Sequence, residues 1–107
     1  MIITPAATIA GHRIVETLGL VRGNTIRARN VGKDIVAVIK NLVGGEIEEY
    51  TKMMAEAREQ AVDRMVAEAT QLGANAITDV RFMTSFIMGA ASEILAFGNA
   101  VIVEPEP

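Results

Sequence analysis

The chain has no cysteine and no tryptophan, a single histidine, and aromatic residues at only 4% of its positions. Without cysteine it forms no disulfide, holds no metal through thiolate and uses no cysteine nucleophile. The one histidine, His12, beside a loop with no cysteine and no second histidine in the chain, reads as structural or solvated rather than as a ligand or base, and it would join a metal site only where symmetry between subunits brings copies of it together. No run approaches the ~20 apolar residues that span a bilayer. The opening MIITPAATIAGHR has no basic stretch leading into an apolar one, so no secretory signal and no membrane partner are expected. The expected location is cytoplasmic.

Apolar character, by contrast, is abundant. Half of the 107 residues are hydrophobic and the mean hydropathy is +0.32. A chain this short buries only about two thirds of its unfolded surface. So much apolar content in one small domain, residues 1–107, points to self-association. Net charge is only −3, unevenly placed. Up to Lys40 six basic residues face Glu16 and Asp34, and from Asn41 onward four basic residues face eleven acidic ones. The group Arg22, Arg27, Arg29 and Lys33 lacks interleaved aromatics and belongs to an acidic protein. It reads as a solvated face or the complement of an acidic surface, not as a nucleic-acid site.

The longest helical pattern runs from Glu46 to Leu72. Ile47, Tyr50, Met54, Ala57, Ala61, Met65, Ala69 and Leu72 recur three or four residues apart and form one stripe, flanked by Met53, Val62 and Val66. Most other positions carry strong helix formers, Glu48 and Lys52 stand at the favourable i,i+4 spacing, and Gly73 supplies the stop. A second, shorter helix is expected from Val31 to Leu42, capped by Asn30 and broken by Gly44 and Gly45.

Strands are expected on either side. Ile2–Thr4 makes a short one ended by Pro5, and Ala6–Gly11 reads as a loop. Arg13–Val21 follows, with a bulge or turn at Gly23 and Asn24 and a continuation over Thr25–Ala28. Asn75–Ile87 alternates, with Ala76, Val80, Phe82 and Phe86 inward and Asp79, Arg81 and Ser85 outward. A hairpin at Gly89–Ser92 leads into Glu93–Val103, which is apolar on both faces: Ile94, Ala96, Ala100 and Ile102 on one, Leu95, Phe97, Val101 and Val103 on the other. The acidic end, EPEP, reads as frayed. The order strand, helix, helix, strand, strand predicts an α+β fold: a small antiparallel sheet covered on one side by the long helix. One face of the last strand is then left for another subunit.

Chemistry is scarce. Glu56, Glu59 and Asp63 share a helix ridge, which reads as a solvated outer face and alternatively as a weak hard-cation site. Met53, Met54, Met65, Met83 and Met88 read as apolar filler rather than a soft-metal set. Gly44-Gly45 lacks the Lys and the spacing of a phosphate loop. No motif places a base beside Ser85 or Ser92. The expected site inventory is therefore no catalytic residue, no metal ligand and no cofactor, and the expected role is non-enzymatic.

Four motifs together resemble the YbjQ-like family, which carries a heavy-metal-binding label. They are IVETLGLVRG (Ile14–Gly23), VGGE with Tyr50 following (Val43–Glu46), QLGANAITDVRF (Gln71–Phe82) and FGNAVIVE (Phe97–Glu104). The resemblance implies a small α+β subunit with a dodecin-like strand and helix arrangement, assembling as a homopentameric ring. The family has no established activity to carry over. The hairpin IMGAASE and the N-terminal PAATIAGH offer no motif residue for a site. A homo-oligomer of unknown ligand is the expectation, with carboxylates meeting at subunit junctions to bind a metal ion as the alternative.

Overall fold

The computed structural model describes residues 1–26, 47–87 and 90–107, with side chains for 1–25, 51–86 and 93–107. Within them are strands β1 (Ile2–Ile3) and β2 (His12–Ile26), helix α1 (Ile47–Gln71), and strands β3 (Ala76–Ile87) and β4 (Ala90–Pro105). The expected helix over 31–42, with Asn30, Gly44 and Gly45, lies outside the described residues. The fold is α+β. Its sheet has the order β1-β3-β4-β2.

The sheet is mixed rather than purely antiparallel. β2–β4 and β3–β4 are antiparallel, but β1 runs parallel to β3, with Ile2 opposite Ala76 and Ile3 opposite Ile77. A parallel neighbour needs a long crossover, and the chain between β1 and β3 supplies one. The N-terminal segment is stitched to β3 beyond that pair. Thr4 N–H donates to the Ile77 carbonyl at 3.0 Å, Val80 N–H to the Thr4 carbonyl at 3.1 Å, and Asp79 N–H to the Ala6 carbonyl at 3.0 Å.

α1 matches the predicted helix. Ala57, Ala61, Met65 and Ala69 are buried, and Met54, Val62 and Val66 pack partly buried beside them. Burial of Met65 alone contributes about 1.5–3 kcal/mol. The helix ends in a Schellman motif: Ala74 N–H donates to the Ala69 carbonyl and Gly73 N–H to the Thr70 carbonyl, with Gly73 at φ 88°. Only glycine takes that left-handed turn without strain.

The small residues of the helix stripe let its backbone approach the sheet closely, and Gly23 completes the contact. A Cβ at Gly23 would collide with the backbone of Ala61 and Met65. This corrects the expected bulge or turn at Gly23 and Asn24. The glycine is required by close packing, and β2 runs through it without a break as far as Ile26. The bulges of β2 lie earlier, at the register shifts between Ile14 and Glu16 and between Thr17 and Gly19.

β3 departs from its predicted alternation at one residue. Asp79 has φ 55°, and the register shifts between Thr78 and Arg81, so Asp79 and Val80 together oppose Gly98. The extra residue reverses the parity of the strand. Ile77 and Val80, three apart, both join the helix-side core, while Ala76 faces the other way. Phe82 and Phe86, expected inward, are 48% and 64% exposed. They lie past the bulge, where α1 scarcely touches β3, because the helix lies mainly over β2 and secondarily over β4.

The sheet thus carries two cores. The larger, beneath α1, contains Val21, Ile77, Val80, Ile94, Ala96 and Ala100. The smaller, on the opposite face, joins Ala76, Val101 and Val103, with Ile9 of the N-terminal segment packed on them. Val101, expected to await another subunit, is only 2% exposed within its own chain. The tail is also anchored: Glu106 N–H donates to the Gly11 carbonyl at 2.8 Å, and Arg13 pairs with Glu104 at 3.2 Å. The Cα radius of gyration is 16.9 Å. A compact chain of this length has about 13 Å, so the subunit is extended rather than spherical.

Candidate functional site

LGANAI, the most specific stretch of the sequence, turns out to be architectural. Asn75 sits between the helix stop and β3. Its Nδ2 donates to the Val103 carbonyl at 2.9 Å and its Oδ1 accepts from Val103 N–H at 2.8 Å, while its own N–H donates to the Val101 carbonyl at 3.2 Å. The amide therefore imitates a strand residue, pairing both backbone groups of Val103. Next to it, the Asp79 carboxylate accepts from Thr78 Oγ1 at 3.2 Å and from Asn99 Nδ2 at 3.1 Å. Arg81 Nη1 donates to the carbonyls of Pro5 and Val80, each at 2.9 Å. Asn99 of FGNAVIVE and Asp79 of ITDVRF are thus partners across the β3 bulge. Gly98 is glycine because a Cβ there would lie 2.8 Å from both the Ile77 side chain and the Thr78 carbonyl.

The candidate ligands do not converge. His12 is half-buried at the start of β2, its Nδ1 lying 3.0 Å from the Ala10 carbonyl. Glu56, Glu59 and Asp63 are exposed on α1. Among the described residues no group of three or more His, Cys, Asp or Glu side chains is gathered to hold a metal ion. The methionines divide by position: Met65 is fully buried, Met54 packs on the core, and Met83 is 58% exposed, with Met88 outside the described residues. Of the basic group only Arg22 is described, and it is exposed.

What the described residues do gather is apolar surface that none of them covers fully, in two places. On the helix side an open hollow of about 520 Å³ lies between α1 and β3, lined by Ala55, Arg58, Glu59, Val62, Asp63 and Phe82. On the other face the cross-strand rows Leu20–Asn99, Arg22–Phe97–Arg81 and Asn24–Leu95–Met83 lie side by side, as the registers place them. Leu20 is 63% exposed, and Leu95 and Phe97 are half-buried. Aromatic side chains and arginine are the residue types enriched in protein interfaces. Sequence reading located Leu95 and Phe97 but missed Leu20, Met83 and the hollow, since their exposure depends on the off-centre helix and the bulge.

The fold defines a small α+β domain with a mixed sheet under one long helix. The YbjQ family model, whose description reads "Putative heavy-metal-binding", matches residues 1–104, and the chain belongs to this family. A UPF0145 protein of Dehalococcoides mccartyi is 60% identical over 104 residues, covering 97% of this chain and 100% of that protein. A UPF0145 protein of Methanosarcina acetivorans is 54% identical over 101 residues, 94% of this chain and 95% of the other. The crystal structure of a protein of unknown function from Pediococcus pentosaceus, of the DUF74 family, superposes with a TM-score of 0.54 at 15% identity. That alignment covers 99% of this chain and 98% of the other, and it establishes likeness of fold. Among the described residues no helix is long and apolar enough to cross a membrane.

Proposed function

We propose that this chain is the repeating subunit of a cytoplasmic homo-oligomeric ring, five-membered on the family resemblance, that works by assembly and ligand binding rather than catalysis. One observation carries the reading. Leu20, Phe97, Leu95 and Met83 form an apolar band across the sheet face opposite α1, with Leu20 and Met83 exposed and Leu95 and Phe97 half-buried between them. Bands of this kind on soluble proteins mark association surfaces. Each side chain of this size contributes about 1.5–3 kcal/mol when fully buried, so a few per junction hold a closed ring. The extended shape of the subunit supports the same reading. Light scattering on the untagged protein at micromolar concentration tests it. A mass of several chains is expected, a pentamer in particular; a mass near 11.4 kDa overturns the reading.

The family description favours a second reading, a metal ion held where carboxylates of neighbouring subunits meet. Glu56, Glu59 and Asp63 are exposed on one ridge and available for such a junction. Oxygen donors select hard cations over zinc or copper. Elemental analysis after dialysis without chelator separates the two: a hard divalent cation retained in proportion to the chain supports the second reading, its loss leaves the first, and one tightly held zinc or copper per chain contradicts the oxygen-donor set.

A further inference from the structure

We infer that the junction between copies is made by strand edges, β2 of one copy adding to the outer edge of β3 in the next, and that the incoming helix covers the hollow beside Phe82. The inference rests on the oligomeric reading above and specifies its geometry. The sheet has two long edges. β2 is one of them, and past the bulged part at Ile14–Gly19 its ladder is regular from Leu20 to Ile26. The other edge belongs to β3. The N-terminal segment lies against it only as far as Val80, and from Arg81 to Thr84 no strand among the described residues lies outside it. Soluble proteins blunt such edges with charge, proline or bulges, because an open edge recruits another strand. Here the bulge and Arg81 stand only at the start of the open stretch, which goes on with exposed Phe82 and Met83.

The position of α1 makes the two edges complementary. The helix lies chiefly over β2 and scarcely touches β3, and no other element among the described residues covers β3 on that side. A second copy that lays its β2 along β3 therefore brings its own α1 over Phe82 and Phe86, closing the sheet edge and covering the bare apolar side chains in one step. The contact uses different surfaces on the two partners, so it repeats from copy to copy, as the junction of a ring must. With the helices outside, the open faces turn toward the ring axis, and the apolar band of one copy continues across the junction from Met83 to Leu20 of the next.

Cysteine cross-linking tests this on a chain that has no cysteine of its own. Met83→Cys chains are co-expressed with Leu20→Cys, Arg22→Cys or Asn24→Cys chains, all four positions being on the open face. Asn24, the nearest of the three to Met83 within a chain, is separated from it by β4, about 10 Å across two strand spacings. That exceeds the ~7 Å a disulfide spans, so only a junction between copies links them. Mild oxidation is expected to give covalent dimers in at least one pairing, and little or none from any variant alone. Phe82→Glu is expected to shift the assembly to lower mass with an unchanged far-UV circular dichroism spectrum. Dimers from Met83→Cys alone, or no dimers in any pairing from protein that still elutes as an oligomer, overturn the edge geometry. Elution at the mass of one chain for the unsubstituted protein overturns the oligomeric reading itself.

Discussion

Leu95 and Phe97 share one face of β4 with Val101 and Val103, yet the two pairs meet different surroundings. Val101 and Val103 form a core with Ala76, covered by Ile9, and the Asn75 amide locks the strand beside them. Leu95 and Phe97, six and four residues before Val101, have Asn24 with Met83 and Arg22 with Arg81 as their row neighbours, and no layer above them among the described residues. Composition does not separate the pairs. What separates them is the route of the first eleven residues, which cross one half of this face and stop. A strand with two apolar faces announces that it needs two covers, but which segment provides the second is decided by chain routing from far away in sequence.

The sharpest way to break this comparison is to place the same charge in both halves. Val101→Glu puts a carboxylate into a core with no basic group among its members and is expected to cost about 3 kcal/mol or more, enough to unfold a marginal domain. Phe97→Glu is expected to leave the subunit folded and the assembly dissociated. Urea denaturation and sedimentation of the two variants read the outcomes independently. Unfolding in both, or in neither, would erase the distinction between a closed half and an open half.

Next in size is a change on the helix side, which both halves share. Gly23→Ala adds only one methyl group, but its neighbours are the backbone of Ala61 and Met65, which cannot rotate away. Overpacking of this kind costs about 1–3 kcal/mol and sometimes more. The expectation is a lower urea midpoint with α1 displaced from the sheet. Gly19→Ala provides the control, since nothing lies within 4 Å of a Cβ there and its cost is the backbone strain of φ 125° alone. Asn75→Ala should rank close behind. It leaves Val103 N–H and carbonyl without their partner in the closed half, at about 1–3 kcal/mol.

These residues also show where sequence reading stopped. α1 was legible almost to the residue, because a 3.6-residue stripe, strong helix formers and a C-terminal glycine all agree on it. The strands were legible as elements. The two faces of β4 were legible as well; those of β3 were legible only in part, because the bulge at Asp79 puts Ala76 on the face opposite Val80 and Phe82, and nothing in the alternation around Thr78-Asp79-Val80 declares it. The available signal was Asp itself, a residue depleted in strands and comparatively tolerant of positive φ. Gly23 was read as a local irregularity because its reason, the helix backbone above it, lies some forty residues away in sequence. No catalytic motif stood out in the sequence, and the family motifs that lie among the described residues resolve into caps, clamps and close contacts.

The smallest expected effect concerns the bulge that divides the two halves. Asp79→Asn keeps the side-chain length, the tolerance of φ 55° and one oxygen able to accept from Thr78 and Asn99. What it removes is the charge on the acceptor, which makes such hydrogen bonds stronger than neutral ones. The expected loss is about 0.5–1 kcal/mol in urea denaturation, with assembly unchanged. Asp79→Leu removes both hydrogen bonds and places a branched side chain in a left-handed conformation it resists. If the bulge then slips out of register, Phe82 and Met83 exchange faces, since a shift of one residue inverts the strand. Cross-linking from position 83 to β2 would vanish in that variant while the helix content persisted, and its survival would show that the bulge does not control which side chains β3 presents to a neighbour.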